Sequence, residues 1–543
     1  MTDLLRRRAA QFPASDAVVC PGREGDRSLS YTELDDLSDR LAAGLAGRWG
    51  FDPGTSVAWS LGAPEGIEAL VLYHALLKAR WVNVPVSQRL TRPETQAIIR
   101  DADCRAFIAA DHNTLGWAAD CGLAEEHRVP VADLLSDALA PSDRETADFV
   151  AGDAALEDDL AAILYTSGTT GRPKGVEHTH ASALAAGIGW ADAFRLGSDD
   201  VLQSPFPIVS GAALHFNGLS ALWAGATFVV DGVDAADALA RIERWHTTVY
   251  VAVPSIYQYW LASPARSERD LSSLRLLDYG GSSMPLPVIE ALRSAFPDVG
   301  LMQTYGLTEA GPGGTYLPEE FVTSRLGSIG SRAAGRFTRF RVVRPDGSDV
   351  GPGEPGEFVL RGPAVMRGYH GDPAATDAAF LDGWLRSGDV VKYDDDGFLY
   401  FVDRLKDIIV RGGYNVSTVE VESVLLAHRC VMDAAVVGVP HRQLGETVAA
   451  AVVLAADCDV TPDELIGHCA QSLADYKLPG QIALVSELPR NSTGKIIKAA
   501  VRDAIRSAGP SPRSRALTQA SALSVSAPDS GPTSDRPPTS PLA

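Results

Sequence analysis

The stretch Tyr165-Thr166-Ser167-Gly168-Thr169-Thr170-Gly171-Arg172-Pro173-Lys174-Gly175 constrains this chain more than any other. Small and apolar residues, Ala161-Ala162-Ile163-Leu164, lead into it and read as the end of a buried strand. Hydroxyls, glycines and one lysine then crowd into a single turn. Glycine lets backbone approach a ligand closely and turn its N–H groups inward. The hydroxyls add donors and Lys174 adds a full positive charge. Any fold for this chain must therefore end a buried strand at a phosphate cradle, and the ligand that such a cradle implies is a nucleotide.

The loop is not a Walker A motif. That motif follows its Gly-Lys directly with Ser or Thr, whose hydroxyl serves Mg²⁺. Here Pro173 precedes Lys174 and Gly175 follows it, which disfavours P-loop kinases and GTPases.

At 543 residues the chain is long for one core, so two or more domains are expected. Helical and strand-like stretches alternate in the first half: Tyr31 to Leu45 at helical spacing, then Ser56 to Ser60 and Val82 to Val86 as strands. A Gly/Ala-rich helix and the strand Ala226 to Val230 follow. Alternation of this kind predicts α/β layers. Residues 337–401 are rich in Gly, Pro and turn dipeptides between short strand-like runs, the pattern of an antiparallel β subdomain. A second α/β pattern follows, with a helix at Val416 to Leu426 and strands at Asp433 to Val439 and Val448 to Leu454. From residue 508 to 543 Ser, Pro and Ala dominate, as in a disordered tail.

The net charge of −21 argues against nucleic acid as a partner, because binding a phosphate backbone needs a basic surface. It does not argue against ATP, for which a few local donors suffice. The six cysteines, Cys20, Cys104, Cys121, Cys430, Cys458 and Cys469, are scattered without a CxxC pair. Neither a zinc site nor a disulfide framework is indicated, and reduced thiols in a cytoplasmic protein fit best. The N-terminus lacks the apolar core of a signal peptide, and no run approaches the ~20 apolar residues of a membrane span.

Four further strings follow the loop: Tyr305-Gly306-Leu307-Thr308-Glu309; Asp382 to Asp389; Val402 to Asp407 continuing into Arg411-Gly412-Gly413-Tyr414-Asn415; and Pro489 to Lys495. In this order they resemble the signatures of the adenylate-forming superfamily, which includes acyl-CoA synthetases, adenylation domains of peptide synthetases and beetle luciferases. The resemblance covers residues 1 to about 507. It implies a large N-terminal domain of layered α/β subdomains plus a small β-barrel, residues 1–403, and a small mobile α+β C-terminal domain, residues 404–507, with a hinge at Lys406. The reaction it implies is attack of a carboxylate on the α-phosphate of ATP, with Mg²⁺, followed by thioester formation with CoA.

The resemblance also carries roles to individual residues. Thr166, Ser167, Gly168, Thr169, Thr170, Gly171 and Lys174 match the loop that holds the β- and γ-phosphates. Glu309 matches the Mg²⁺ carboxylate, with Thr166 as a partner ligand; Tyr305, Gly306 and Thr308 belong to the same adenine-side string. Asp389 and Arg404 match the ribose contacts; a carboxylate, acceptor-only when ionised, suits a diol. Gly280 and Gly281 match the segment flanking adenine and lining the acyl pocket, and Gly412 and Gly413 the loop that admits a pantetheine thiol. Lys495 matches the catalytic lysine that reaches the carboxylate and α-phosphate.

One departure concerns the acyl pocket. Many acyl-CoA synthetases carry His or an aromatic in a Pro-Leu-Phe-His string, and this chain has Pro205-Phe206-Pro207-Ile208-Val209-Ser210-Gly211. Ser210 stands at the gate, His215 lies five residues on, and Tyr279 precedes the glycine pair; these three are the candidate pocket residues. Alternatives remain within the same chemistry: loading of a carrier protein, activation of another acid such as nitrite, or oxidation of the adenylate as in luciferases. A silent nucleotide-binding regulator is the non-enzymatic alternative, disfavoured because it has no need of Lys495.

Overall fold

The computed structural model describes residues 1–22, 25–134, 156–166, 173–282, 284–456, 458–490 and 496–508. The tail expected at 508–543 thus lies outside the described residues, apart from the backbone of Ala508 at the end of a helix. The chain divides into two compact units, with the boundary between Leu405 and Lys406. All statements of sheets and partners below concern the described residues.

Two sheets and the helices between them make most of the first unit. One runs, edge to edge, through the strands Gly368–Tyr369, Lys174–Thr179, Leu160–Thr166, Val82–Pro85, Ser56–Ser60, Ala106–Ala109 and Arg128–Pro130. The other runs through Arg332–Ala333, Gly314–Leu317, Gly300–Gly306, Leu276–Gly280, Val249–Ala252, Val201–Ser204, Thr227–Val230, Asp16–Cys20 and Arg27–Ser30. Its central strands are parallel. Strands buried on both faces read as continuous apolar runs, and Ser56–Ser60 and Val249–Ala252 are buried throughout.

The main core lies between the two sheets. Val57 and Trp59 of one sheet meet Val18, Leu202 and Val251 of the other through the helices Tyr31–Trp49, Gly66–Lys78 and His180–Phe194. The first of these helices starts on a capping box, in which Ser30 Oγ accepts from Glu33 N at 3.2 Å and Glu33 Oε2 accepts from Ser30 N at 2.7 Å. It buries Leu34, Leu41 and Leu45, each worth roughly 1.5–3 kcal/mol. Gly66–Lys78 is buried almost all round, as befits a helix inside a layer. The far face of the parallel sheet carries a second core, with Tyr250, Leu277, Tyr279 and Leu301 under the helices Ala235–Trp245, Pro254–Ala262 and Leu286–Ala295.

Apart from Arg332–Ala333 and Gly368–Tyr369, strands between residues 328 and 404 form the antiparallel β subdomain, in the order Ser328–Gly330, Leu399–Arg404, Trp384–Tyr393, Gly356–Arg361, Arg339–Val343. The second unit holds another sheet, Tyr414–Val416, Ile409–Arg411, Gly445–Leu454 and Val431–His441, joined by Gln481–Leu484 in parallel. Apolar clusters cover both faces of its long hairpin. No helix among the described residues is long and apolar enough to cross a membrane.

The cysteine expectation needs a correction. Cys430 and Cys458 form a disulfide, whereas Cys20, Cys104, Cys121 and Cys469 are free. The two half-cystines are 28 residues apart, but the hairpin pairs Val431 with Leu454, and Ala455 N donates to Cys430 O at 3.0 Å. Strand register therefore brings together two cysteines that spacing alone does not connect.

Two features of the first unit lead to measurable consequences. A Cβ on Gly189, in the helix His180–Phe194, would lie 2.9–3.1 Å from Gly335 N, Gly335 Cα and Ala334 C. Alanine gains about 1 kcal/mol of helix propensity over glycine, but overlap with backbone costs about 1–3 kcal/mol. Gly189→Ala should therefore lower stability to denaturant, and a stabilised variant would contradict this close approach. Separately, the edge strand Gly368–Tyr369 is clamped to Lys174–Thr179 by His370, whose Nδ1 lies 2.8 Å from Glu177 Oε1. This hydrogen bond raises the His370 pKa above its ordinary 6.5, against the opposing effect of burial. A raised pKa adds stability that is fully present below pH ~6.5 and lost as pH rises through the raised value. The stability difference between wild type and Glu177→Gln should shrink across that window; a pH-independent difference in denaturation would contradict the coupling.

Candidate active site

The phosphate loop is framed by an antiparallel strand pair. Leu160–Thr166 pairs with Lys174–Thr179 so that Thr166 stands directly opposite Lys174. Ala161 to Leu164 are buried, which fixes where the strand ends. Gly175 is needed here: a Cβ would lie 2.8 Å from Ile163 Cγ2 and 3.0 Å from the Tyr165 ring. The Tyr165 hydroxyl is itself anchored, donating to Asp101 Oδ2 at 2.7 Å. Ser167, Gly168, Thr169, Thr170 and Gly171 lie outside the described residues.

The same strand reaches the Tyr-Gly-Leu-Thr-Glu string. The strand Gly300–Gly306 ends at its first two residues, and a short turn, Thr308–Ala310, follows. His178 Nε2 donates to Thr308 O at 2.9 Å. Burial pushes the His178 pKa down to about 4, so the ring is neutral, and its Nδ1 accepts from Ser182 Oγ at 3.2 Å. Met366 N donates to Glu309 O at 2.8 Å, and the Tyr369 hydroxyl donates to Glu309 Oε1 at 3.1 Å. The Lys174 ammonium sits over the Tyr369 ring, 4.5 Å from its centroid. Thr166, Lys174, Thr308 and Glu309 are thus gathered by two partners, His178 and Tyr369, that the sequence reading did not identify.

A second group forms where the antiparallel subdomain meets the same string. Asp389 on Trp384–Tyr393 is the cross-strand neighbour of Arg404 on Leu399–Arg404. Arg404 Nε lies 3.4 Å from Asp389 Oδ1, and the Tyr305 hydroxyl donates to Oδ2 at 2.5 Å. Burial and the Asp389 charge hold the Tyr305 pKa well above its usual value, so the phenol stays a donor. Gly280 and Gly306 end adjacent parallel strands, at the carboxyl edge where ligands of open α/β sheets bind. A Cβ on Gly280 would fall 2.5 Å from Thr304 Oγ1, and one on Gly306 2.5 Å from Pro312 O, so side chains are excluded at both. Gly281 follows in a left-handed conformation, φ 77°.

The three candidate pocket residues have the following surroundings. Ser210 Oγ accepts from Ala213 N at 3.1 Å and so caps the helical turn Ala212–Gly218. His215, fully buried in that turn, has Nε2 3.2 Å from the Tyr73 hydroxyl and its ring edge-on to His178 at 5.3 Å. Tyr279 is buried in the second core. Alternation along Leu276–Gly280 puts Leu277 and Tyr279 in that core and Leu276 in the first.

Lys406, Gly412 and Gly413 belong to the second unit, of which Lys406 is the first residue. Gly412 and Gly413 form the tight turn between Ile409–Arg411 and Tyr414–Val416, with φ of 59° and 90° that disfavour any side chain. Lys495 lies outside the described residues.

Comparison with known proteins bears on the family and the fold. Residues 5–370 match the AMP-binding enzyme family and residues 420–495 the AMP-binding enzyme C-terminal domain. A feruloyl-CoA synthase of Amycolatopsis sp is 37% identical over 499 residues, covering 91% of this chain and 97% of that protein. A long-chain-fatty-acid–CoA ligase of Mycobacterium tuberculosis is 34% identical over 503 residues, covering 92% and 97%. Among solved structures, o-succinylbenzoate CoA synthetase from Bacillus subtilis in complex with ATP and magnesium ion superposes with a TM-score of 0.82 at 28% identity, covering 92% of this chain and 99% of that one. With the phosphate-loop frame, the Thr308–Glu309 turn and the Asp389–Arg404 pair in one unit, and a match over both regions, the chain belongs to the AMP-binding enzyme family of adenylate-forming enzymes.

Proposed function

We propose that this protein is an ATP-dependent, AMP-forming acid–CoA ligase, and that the residues above divide its labour. A carboxylate oxygen attacks the α-phosphorus of ATP; the bond to the bridging oxygen breaks and pyrophosphate leaves. The CoA thiol, losing its proton, then attacks the acyl carbon, and AMP leaves with the bonding pair. The observation that carries this reading is the convergence of Lys174, Glu309, Tyr305, Asp389 and Arg404 through direct contacts and strand pairing in one unit.

Two anions must meet in the first step, so the site has to supply positive charge and fixed donors. Thr166, Ser167, Gly168, Thr169, Thr170, Gly171 and Lys174 take the β- and γ-phosphates. Asp389 offers two preset acceptor oxygens to the ribose diol and Arg404 adds a donor beside them. Tyr305 and Gly306, next to Gly280 and Gly281, bound the adenine. The donor set suits Mg²⁺, which takes hard oxygens from one or two protein groups and the rest from phosphates and water. Glu309 has Oε2 without a hydrogen bond, and the Thr166 hydroxyl likewise, among the described residues. When bound, Mg²⁺ draws charge from the phosphate oxygens. Lys406 is the hinge, and the Gly412-Gly413 turn gives the thin pantetheine arm room to pass, since nothing among the described residues lies within 4 Å of a Cβ on Gly413. The setting is cytoplasmic, where ATP and CoA meet.

The relatives named above act on aromatic, fatty and succinylbenzoyl acids, and our reading keeps this whole range open for the acid. A panel of carboxylates, tested for conversion of ATP to AMP with and without CoA, should show AMP release that requires CoA. Turnover only with an added carrier protein would move the acceptor from CoA to that protein, and turnover with no acid in the panel would overturn the reading. Lys495→Ala should abolish acid-dependent ATP–pyrophosphate exchange while ATP binding, measured by calorimetry, stays largely intact. Near-normal exchange in that variant would remove Lys495 from the catalytic role.

A further inference from the structure

Tyr369 occupies an unusual place between two opposite charges. Its hydroxyl donates to Glu309 Oε1 at 3.1 Å, and its ring face receives the Lys174 ammonium 4.5 Å from the centroid. Among the described residues, Lys174 and Glu309 form no ion pair with each other or with any other group. Direct contact between the Lys174 ammonium and the Glu309 carboxylate would pair and neutralise both. The phenol separates them while favouring the charge on each: the carboxylate gains a charge-assisted hydrogen bond, and the ammonium gains the negative face of the ring.

The spacer is firmly held. Gly368–Tyr369 pairs with the strand that carries Lys174, with Tyr369 opposite Val176. Tyr369 N donates to Thr376 Oγ1 at 2.9 Å, and His370 N donates to Gly175 O at 2.8 Å. The ring is half-buried, and burial together with Glu309 raises the phenol pKa, so the hydroxyl stays a donor. Because the hydroxyl takes only Oε1, Oε2 is left available.

We propose that Tyr369 is a positioning residue that keeps Lys174 and Glu309 apart before ATP arrives, reserving the ammonium for phosphate and one carboxylate oxygen for Mg²⁺. The inference rests on the reading of Glu309 as the Mg²⁺ carboxylate. It goes beyond that reading in giving a role to a residue that touches neither metal nor acid.

The test is Mg²⁺-dependent ATP binding, followed by calorimetry on the full chain with neither acid nor CoA present. Tyr369→Phe, nearly isosteric, keeps the ring and loses the hydroxyl. It should raise the Mg²⁺ concentration for half-maximal ATP binding about threefold. Tyr369→Ala lets Lys174 reach Glu309 and should raise it about tenfold. The same alanine change made on a Lys174→Met background should cost much less, because no ammonium remains to collapse onto the carboxylate. A role in packing alone predicts equal effects in both backgrounds, and that result, or a Tyr369→Phe titration identical to wild type, would overturn the proposal. If wild type itself binds ATP without any Mg²⁺ dependence, the assignment of Glu309 fails first and takes this inference with it. Normal Mg²⁺ dependence in wild type with unchanged variants removes only Tyr369.

Discussion

The strand Lys174–Thr179 pairs on both sides, with Leu160–Thr166 and with Gly368–Tyr369, and the site depends on that double pairing. Backbone hydrogen bonds on one edge set Thr166 opposite Lys174; those on the other set Tyr369 opposite Val176. The strand's own alternation then decides which side chains point where. Val176 and His178 are buried, whereas Glu177 reaches the His370 clamp on the opposite side. A shift of one residue in either pairing would exchange these faces. The phosphate-loop frame, the Thr308 carbonyl contact and the Glu309 contact therefore stand or fall together.

Burial fixes the protonation of the groups that orient the charged ones. His178 is neutral because desolvation lowers its pKa to about 4, and a neutral ring with a donating Nε2 can bond a carbonyl without bringing a positive charge into the core. Tyr305 and Tyr369 are shifted the other way by burial and a neighbouring carboxylate, and remain donors. The carboxylates of Glu309 and Asp389 thus each accept from a phenol that does not ionise near neutral pH. A neutral donor holds an anion in place without cancelling its charge; at Asp389 the phenol shares this task with Arg404.

Much of the fold was legible in the sequence, as were the motif strings from which the candidate site is built. The strands Ser56–Ser60 and Thr227–Val230, the helix from Tyr31 and the antiparallel region after residue 337 each carried a local pattern of apolar spacing or turn residues. The motif strings were equally local. What stayed hidden depends on contacts between distant segments: His178 meets Thr308 across 130 residues, and Glu309 meets Tyr369 across 60. Neither partner sits in a string with its own signature, and only the sheet order reveals them. Ser210 and Tyr279 show the converse limit. Their positions in the motifs are legible, but that one hydroxyl caps a turn and one ring faces the second core is set by backbone geometry and strand alternation. The Cys430–Cys458 bond was hidden for the same reason, since hairpin register and not spacing joins it.

The charge balance of the chain bears on how such a site works at all. A protein with a net charge of −21 that takes up ATP and CoA must bring polyanions to an acidic body. Screening limits the penalty, because at physiological ionic strength exposed charges more than about 8 Å apart interact weakly. Local charge then decides. Arg404 stands beside Asp389, and Lys174 lies over the Tyr369 ring whose hydroxyl meets Glu309. A net negative charge sets no binding site by itself; that depends on where individual cations are placed. For a highly charged nucleotide, a few positioned side chains therefore count for more than the overall charge of the chain.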